Sequence, residues 1–238
     1  KEEGEGWDEV KRLHQCQASQ AIDEIIAGSP IRKILAHVTP GGGKSALPII
    51  ASRLITAGLA EALCWVCPRS ALQDQGERNF LDPFFRDMLG HDITIRSSTN
   101  EVNPCRDQRG FITTYQALSV DEHRTVLDDF LRRRYILVLD EFHHVEKDGE
   151  WFTSVNPLVK QARFLLLMTG TLERGDQHPI AFMSYRDSMP FLASSADSVI
   201  QYSRTQALRE HAILPIRFHL SDGRVEWQDK RGRTRGGK

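Results

Sequence analysis

Two kinds of hydrophobic pattern alternate along the chain. The first is helical. In residues 7–27, Val10, Leu13, Ala21, Ile22, Ile25 and Ile26 recur at the spacing of one helix face, and Gly28-Ser-Pro30 stops the run. Residues 45–57 predict a second helix, with Pro48 tolerated in its first turn and Gly58 ending it. Residues 70–80 predict a third, broken by Asp82-Pro83, and residues 120–133 a charged fourth. The second pattern is continuous. Residues 31–38, Ala62–Cys67, Tyr135–Asp140 and Phe164–Thr169 are short runs of almost wholly apolar residues. Residues 93–96 and 110–113 predict shorter strands around a polar, irregular stretch, residues 97–109. Unbroken apolar strands separated by helices predict an α/β domain with a mostly parallel sheet and helices on both faces. Its connections are expected to be right-handed and doubly wound. In such sheets chemistry gathers at the carboxyl ends of the strands.

The pattern changes near the end. Residues 213–220 and 225–227 flank the turn signal Ser221-Asp-Gly-Arg224, which predicts a C-terminal β-hairpin extension. Residues 230–238 are basic, glycine-rich and without apolar residues, the composition of a flexible linker, with a nucleic-acid-binding tail as the sharper alternative. The expected division is therefore one α/β domain over residues 1–215 and a hairpin with a basic linker over 216–238.

Composition narrows the class. The 238 residues suffice for one large domain with a full core. No apolar run approaches the ~18 residues of a membrane span, and the acidic start Lys1-Glu-Glu-Gly-Glu-Gly6 is unlike a signal peptide. A cytoplasmic protein with no membrane partner is expected. A formal net charge of −1 excludes a uniformly basic binder and leaves room for a local basic surface. Cys64-Trp-Val-Cys67 has the spacing of a redox or zinc pair. Residues three apart on a strand face opposite ways, however, and no second close pair completes a zinc site.

Candidate chemistry falls between a strand and a helix, at Val38-Thr-Pro-Gly-Gly-Gly-Lys-Ser-Ala46. Gly41, Gly42 and Gly43 let backbone N–H groups approach an anion without Cβ obstruction, and the following helix adds the positive end of its dipole. Lys44 suits β- and γ-phosphates, and Ser45 offers a hydroxyl to Mg²⁺. The general phosphate-loop pattern has a glycine where this chain has Val38. Asp140 and Glu141 end an apolar strand, where charge is costly unless used. Adjacent carboxylates there suit two jobs: Asp140 for Mg²⁺ and Glu141 to deprotonate an attacking water. A zinc reading of His143-His144 is the weaker alternative to a coupling role for His143.

Together these residues resemble the superfamily 2 helicases and translocases, across most of the chain and in the expected order. Residues 39–45 resemble motif I and Asp140-Glu-Phe-His143 motif II. Val66-Cys-Pro-Arg-Ser-Ala-Leu72 resembles motif Ia, and Phe111-Ile-Thr-Thr-Tyr-Gln-Ala-Leu118 the Thr-Tyr-Gln segment. Thr169-Gly-Thr171 resembles motif III. The resemblance implies a RecA-like P-loop NTPase domain using ATP and Mg²⁺. Catalysis would fall to Lys44, Asp140 and Glu141, with Ser45 and Asp140 for the metal. Nucleotide contacts would come from Pro40, Gly41, Gly42, Gly43, Lys44, Ser45 and Ala46. His143, Thr169, Gly170 and Thr171 would couple ATP state to strand binding, and Arg69, Thr114 and Gln116 would meet nucleic acid. Leu13-His-Gln-Cys-Gln17 resembles the segment that reads adenine and nominates Gln17.

Residues 202–215 resemble the close of the first motor domain in the restriction-motor and excision-repair branches, which favours DNA over RNA. A second RecA-like domain, carrying motifs IV to VI and an arginine finger, is the implied partner, and the isolated domain is expected to hydrolyse ATP poorly. The expected function is the ATP-binding first motor domain of a nucleic-acid-dependent helicase or translocase. The alternatives are the motor of a restriction or phage-defence complex, or a nucleotide-switched nucleic-acid clamp.

Overall fold

A computed structural model describes residues 11–121, 124–172, 180–186, 189–191, 196–215, 225–228 and 234–237. The strands are β1 (Lys33–Val38), β2 (Ala62–Cys67), β3 (Arg96–Ser97), β4 (Gly110–Thr114), β5 (Tyr135–Asp140), β6 (Phe164–Thr169), β7 (Ser184–Arg186), β8 (Met189–Phe191), β9 (Asp197–Tyr202), β10 (Val225–Gln228) and β11 (Thr234–Gly237). The α-helices are α1 (Leu13–Ile26), α2 (Leu47–Ala51), α3 (Arg53–Thr56), α4 (Ala71–Leu81), α5 (Pro83–Leu89), α6 (Tyr115–Ser119), α7 (Thr125–Arg132), α8 (Glu150–Gln161) and α9 (Arg204–Arg209).

Seven strands form one sheet in the order β3-β4-β2-β5-β6-β1-β9, and every pairing in it is parallel. Alternate residues of the central strands feed two cores. Ile136 and Val138 of β5 join one face with α1 to α4, while Tyr135, Leu137 and Leu139 join the other with α6 to α8. Burial on both sides is why these strands carry no polar alternation. Cys67 lies in the first core and Cys64 in the second, so the two thiols diverge as strand geometry requires. Burial pushes the Cys67 thiol up to about 12, the state of an inert core thiol. Among the described residues no helix is long and apolar enough to cross a membrane.

Several elements differ from expectation. The helix after the phosphate loop opens as a 3₁₀ turn over Lys44–Ala46 before α2 begins. Asp82-Pro83 ends α4 and also starts α5, because the Asp82 side chain accepts a hydrogen bond from the Phe84 N–H at 2.9 Å and Pro83 occupies the first turn. β9 was not anticipated. It pairs with β1 through six residues and extends the sheet past the phosphate-loop strand. At the C-terminus β10 pairs antiparallel with β11, so the hairpin's second strand comes from the basic, glycine-rich tail expected to be a linker. Most of the predicted first strand and its turn, residues 216–224, lie outside the described residues, as do residues 7–10.

Candidate functional site

Because β5, β6 and β1 are adjacent and parallel, their carboxyl ends bring Asp140, Thr169 and Val38 to one edge. The segments resembling motifs I, II and III follow these three ends and so lie side by side. The loop after β1 is tight. Gly42 has no room for a Cβ, which would fall 2.8 Å from the Thr39 carbonyl oxygen and from Val38 Cγ1. Gly43 sits at φ 88°, in the left-handed region that favours glycine. Pro40 packs against Gly170, whose added Cβ would meet the proline ring at 3.1 Å. Motifs I and III therefore touch directly.

Lys44 reaches across to both carboxylates. Its Nζ lies 3.3 Å from Asp140 Oδ1 and also donates to Glu141 Oε1. Asp140 is 5% exposed. Burial raises its pKa, while the Lys44 charge, a hydrogen bond from Lys44 and the nearby Trp65 indole pull it down. The upward shift that remains means that Lys44 only partly compensates for the buried charge. Trp65 reaches Asp140 because it lies opposite Val138 on the neighbouring strand, two residues away on the same face.

Glu141 adopts a left-handed backbone, φ 48° and ψ 43°. A non-glycine residue pays for that conformation, and such strain concentrates at functional sites. The bend turns its carboxylate toward β6. Glu141 Oε2 accepts from the Gly170 N–H at 3.2 Å and lies 3.2 Å from His143 Nδ1. Thr169 Oγ1 donates to the Thr171 carbonyl at 2.7 Å, accepts from the Thr171 N–H at 3.0 Å, and meets His143 Nδ1 at 2.7 Å. Thr169 Oγ1 also lies 3.5 Å from Glu141 Oε2, so its hydroxyl sits between the motif III backbone, His143 and the Glu141 carboxylate. His143, Thr169, Gly170 and Thr171 thus form one hydrogen-bonded group around Glu141.

The remaining expected residues divide. Ser45 is half-buried and Ala46 buried in the turn after the loop. Arg69 and Gln116 are exposed, beyond the ends of β2 and β4 on the same sheet edge. Thr114 is not a free hydroxyl: it caps α6 by accepting from the Ala117 N–H at 3.1 Å. Gln17 is half-buried on α1. Gln15, two residues before it, lies at the phosphate loop: its amide nitrogen lies 3.7 Å from where a Gly43 Cβ would be, and its Oε1 accepts from the Arg12 N–H at 3.1 Å. Two residues on a helix are about 200° apart, so only one of these glutamines can face the loop. Gln15 shares the buried stripe of Ala18 and Ile22, and that spacing was available in the sequence.

Two further residues escaped the sequence reading. Arg12 donates from Nη1 to the Gly42 carbonyl, and at 3.4 Å to that of Gly41, clamping the loop from outside. Tyr115 donates from its hydroxyl to the Asp140 carbonyl at 3.0 Å and stacks on Trp151, tying the Thr-Tyr-Gln segment to motif II.

The donor set suits a hard divalent cation. A buried carboxylate incompletely neutralised by Lys44, together with a serine hydroxyl on the adjoining loop, offers oxygen ligands of the kind Mg²⁺ takes.

The fold and this edge define the first RecA-like motor domain of a superfamily 2 helicase. The chain belongs to the type III restriction enzyme res subunit family, whose model matches residues 10–174. That family places it in a class of ATP-hydrolysing enzymes. An uncharacterised protein of Mycobacterium leprae is 26% identical over 219 residues, 90% of this chain and 34% of that protein. One from Mycobacterium tuberculosis is 28% identical over 209 residues, 86% of this chain and 33% of that protein. The chain thus spans about a third of these relatives' length. Among solved structures, the fold is similar to a nuclease-deletion mutant of the type ISP restriction-modification enzyme LlaGI with a DNA substrate mimic. There the TM-score is 0.55 at 15% identity, covering 85% of this chain and 20% of that one. It is also similar to the helicase MrfA, with TM-score 0.52 at 17% identity over 70% of this chain and 27% of that one.

Proposed function

We propose that this chain is the ATP-binding half of a motor that, within a longer polypeptide, couples ATP hydrolysis to movement on nucleic acid, DNA in preference to RNA. One observation carries the reading: Lys44, after β1, meets Asp140 and Glu141, at the end of β5, across the end of the intervening strand β6, with Glu141 bonded to the Gly170 N–H. Lys44 lies against the two carboxylates. With ATP bound it turns to the β- and γ-phosphates, over the backbone N–H groups of Gly41 to Ala46. Asp140 and Ser45 would hold Mg²⁺, which neutralises charge developing on the phosphates. Glu141, released from Lys44, orients the attacking water and accepts its proton. Gln17 would read the adenine, with Gln15 supporting the phosphate loop. His143 and Thr169 to Thr171 report the state of Glu141 toward the edge where Arg69 and Gln116 would touch nucleic acid. Thr114 serves that contact through its backbone turn. An arginine finger from a second RecA-like domain would complete the site, and such a finger is worth ~10³-fold or more in rate.

A restriction or defence complex is the biological setting that the family match and the likeness to LlaGI favour. The LlaGI structure holds a DNA substrate mimic, which also supports the preference for DNA. The test is ATP turnover by the full-length protein with and without duplex DNA. Stimulation by DNA that is lost in Glu141→Gln, while nucleotide binding persists, supports the proposal. Normal turnover in Glu141→Gln would overturn the role of the base, and turnover indifferent to nucleic acid would overturn the motor.

A further inference from the structure

The opposite edge of the sheet carries a concentration of positive charge that the motor chemistry leaves unused. Three neighbouring strands are each entered by an arginine: Arg134 before β5, Arg163 before β6 and Arg32 before β1. Parallel strands lie ~4.8 Å apart, so the three start points form a short, evenly spaced row. Arg132 and Arg133, at the end of α7, flank it. Together the five arginines line an open concavity of about 460 Å³, and no aspartate or glutamate contributes to that lining. In a chain of net charge −1 this is a marked local excess.

Arg133 is paired with Asp129 and Arg134 with Glu61. Among the described residues Arg32, Arg132 and Arg163 have no carboxylate in ion-pair range, and all three are exposed. Two of them are nevertheless held in place. The guanidinium carbons of Arg32 and Arg163 lie 5.2 and 5.7 Å from the centroid of the Phe164 ring, a cation–π arrangement that limits their wandering. Like charges at this spacing repel one another, and an anionic ligand would relieve that repulsion.

We infer that this row is a second nucleic-acid contact, which grips the phosphate backbone at the amino edge of the sheet. The guanidinium fork matches phosphate oxygens in pairs. The concavity is open and holds no built pocket for a base or a side chain, so it suits a sequence-independent grip. A six-residue strand spans roughly 20 Å, which separates this contact from the edge bearing Arg69. A second segment of the polyanion therefore lies here. The inference takes from the proposed function only that the chain meets nucleic acid.

The test is fluorescence anisotropy of a short labelled duplex, titrated with wild-type chain and with R32Q/R132Q/R163Q over a series of salt concentrations. Each lost phosphate contact lowers the slope of log Kobs against log salt by ~0.9. The triple variant is expected to lose about 2 to 3 in slope and at least tenfold in affinity at low salt, and R163Q alone about one unit of slope. Thermal melting accompanies both variants. A melting temperature held or raised, together with the lost slope, supports a binding role. An unchanged slope overturns the inference, as does absence of duplex binding by the wild type. Loss of poly-glutamate binding with duplex binding intact would overturn it in favour of an acidic protein partner. ATP turnover and the Glu141→Gln variant report separately on the motor.

Discussion

The two edges of one sheet handle charge in opposite ways. At the carboxyl edge charge is buried, paired and geometrically costly: Lys44 against Asp140 and Glu141, with Glu141 in a left-handed backbone. At the amino edge the concavity is lined by arginines and no carboxylate, and Arg32, Arg132 and Arg163 stand exposed with no described carboxylate in ion-pair range. The same strands pass between the two. The carboxyl ends hold their groups in a low-dielectric setting where small movements change energies strongly. The amino ends leave theirs in water, where attraction is long-ranged, weak and sensitive to salt. Reaction chemistry needs the first arrangement and grip on a polymer needs the second.

The largest expected effect falls on the carboxyl edge. Glu141→Gln keeps the side chain's shape and its acceptor oxygen for Gly170, but removes the base. Hydrolysis in the full-length protein should fall by ~10²- to 10⁴-fold with nucleotide affinity little changed, read by steady-state turnover beside equilibrium nucleotide binding. The amino-edge concavity, lined by arginines and no carboxylate, has no group that could take over as the base.

Next in size is an acid sensitivity seated under the phosphate loop. His14 is fully buried and packs on the Tyr202 ring at 4.4 Å. Burial lowers its pKa from 6.5 to about 4; the nearby Gly43 backbone and Glu210 oppose that shift and Arg12 adds to it. The folded state therefore binds this proton less readily than the unfolded chain does. The contribution to stability is complete above pH 6.5 and is lost as pH falls toward 4. It amounts to at most ~3 kcal/mol. His14→Phe retains the ring contact and removes the proton site. Its melting temperature relative to wild type should climb as pH drops through that window. Parallel melting curves for the two proteins from pH 7 to pH 4 would show that His14 is not the sensor.

How much of this contrast the sequence disclosed depends on the pattern that carried each part. Unbroken apolar runs such as Tyr-Ile-Leu-Val-Leu-Asp140 state both burial and the position of the carboxyl end, so β1, β2, β5, β6 and the Lys44–Asp140–Glu141 meeting were legible. β9 was not, because its edge position leaves Asp197, Ser198 and Gln201 outside the core and breaks the apolar run. The place of Gln15 at the phosphate loop is legible from the helical stripe it shares with Ala18 and Ile22. Arg12 was missed because its contact is to backbone carbonyls thirty residues away, which no local pattern records. The arginine row was in plain view as Arg32, Arg132-Arg-Arg134 and Arg163. It gained meaning only when the strand order β5-β6-β1 set three of them side by side.

A smaller effect separates function from stability at Asp140. Its raised pKa means that the folded state disfavours the ionised form. That burden is absent below the ordinary carboxylate range and present in full as pH rises past the folded value. Asp140→Asn removes the buried charge and leaves Lys44 with Glu141. In the absence of nucleotide at neutral pH, the variant should melt higher than wild type, while Mg²⁺-dependent turnover is lost. A lower melting temperature would mean that the Lys44–Asp140 attraction outweighs the cost of burial.

The smallest effect is the one that tells the two edges apart by salt. R32Q/R132Q/R163Q removes three exposed, mutually repelling charges together with the Phe164 contacts of Arg32 and Arg163, so the salt-dependent gain is the relief of repulsion, worth a few tenths of a kcal/mol, about one degree in melting temperature. At an ionic strength near 1 M the screening length shrinks to ~3 Å, shorter than the spacing of the row, and the gain should vanish. Asp140→Asn acts on a buried carboxylate that mobile ions do not reach, so its gain should persist at the same ionic strength. Melting curves of the two variants and wild type at low and high salt therefore make a crossed comparison. If the arginine variant's gain survives high salt, its origin is local packing around Phe164. If the Asp140→Asn gain disappears, the carboxyl edge is wetter than its burial implies, and the contrast between the edges loses its physical basis.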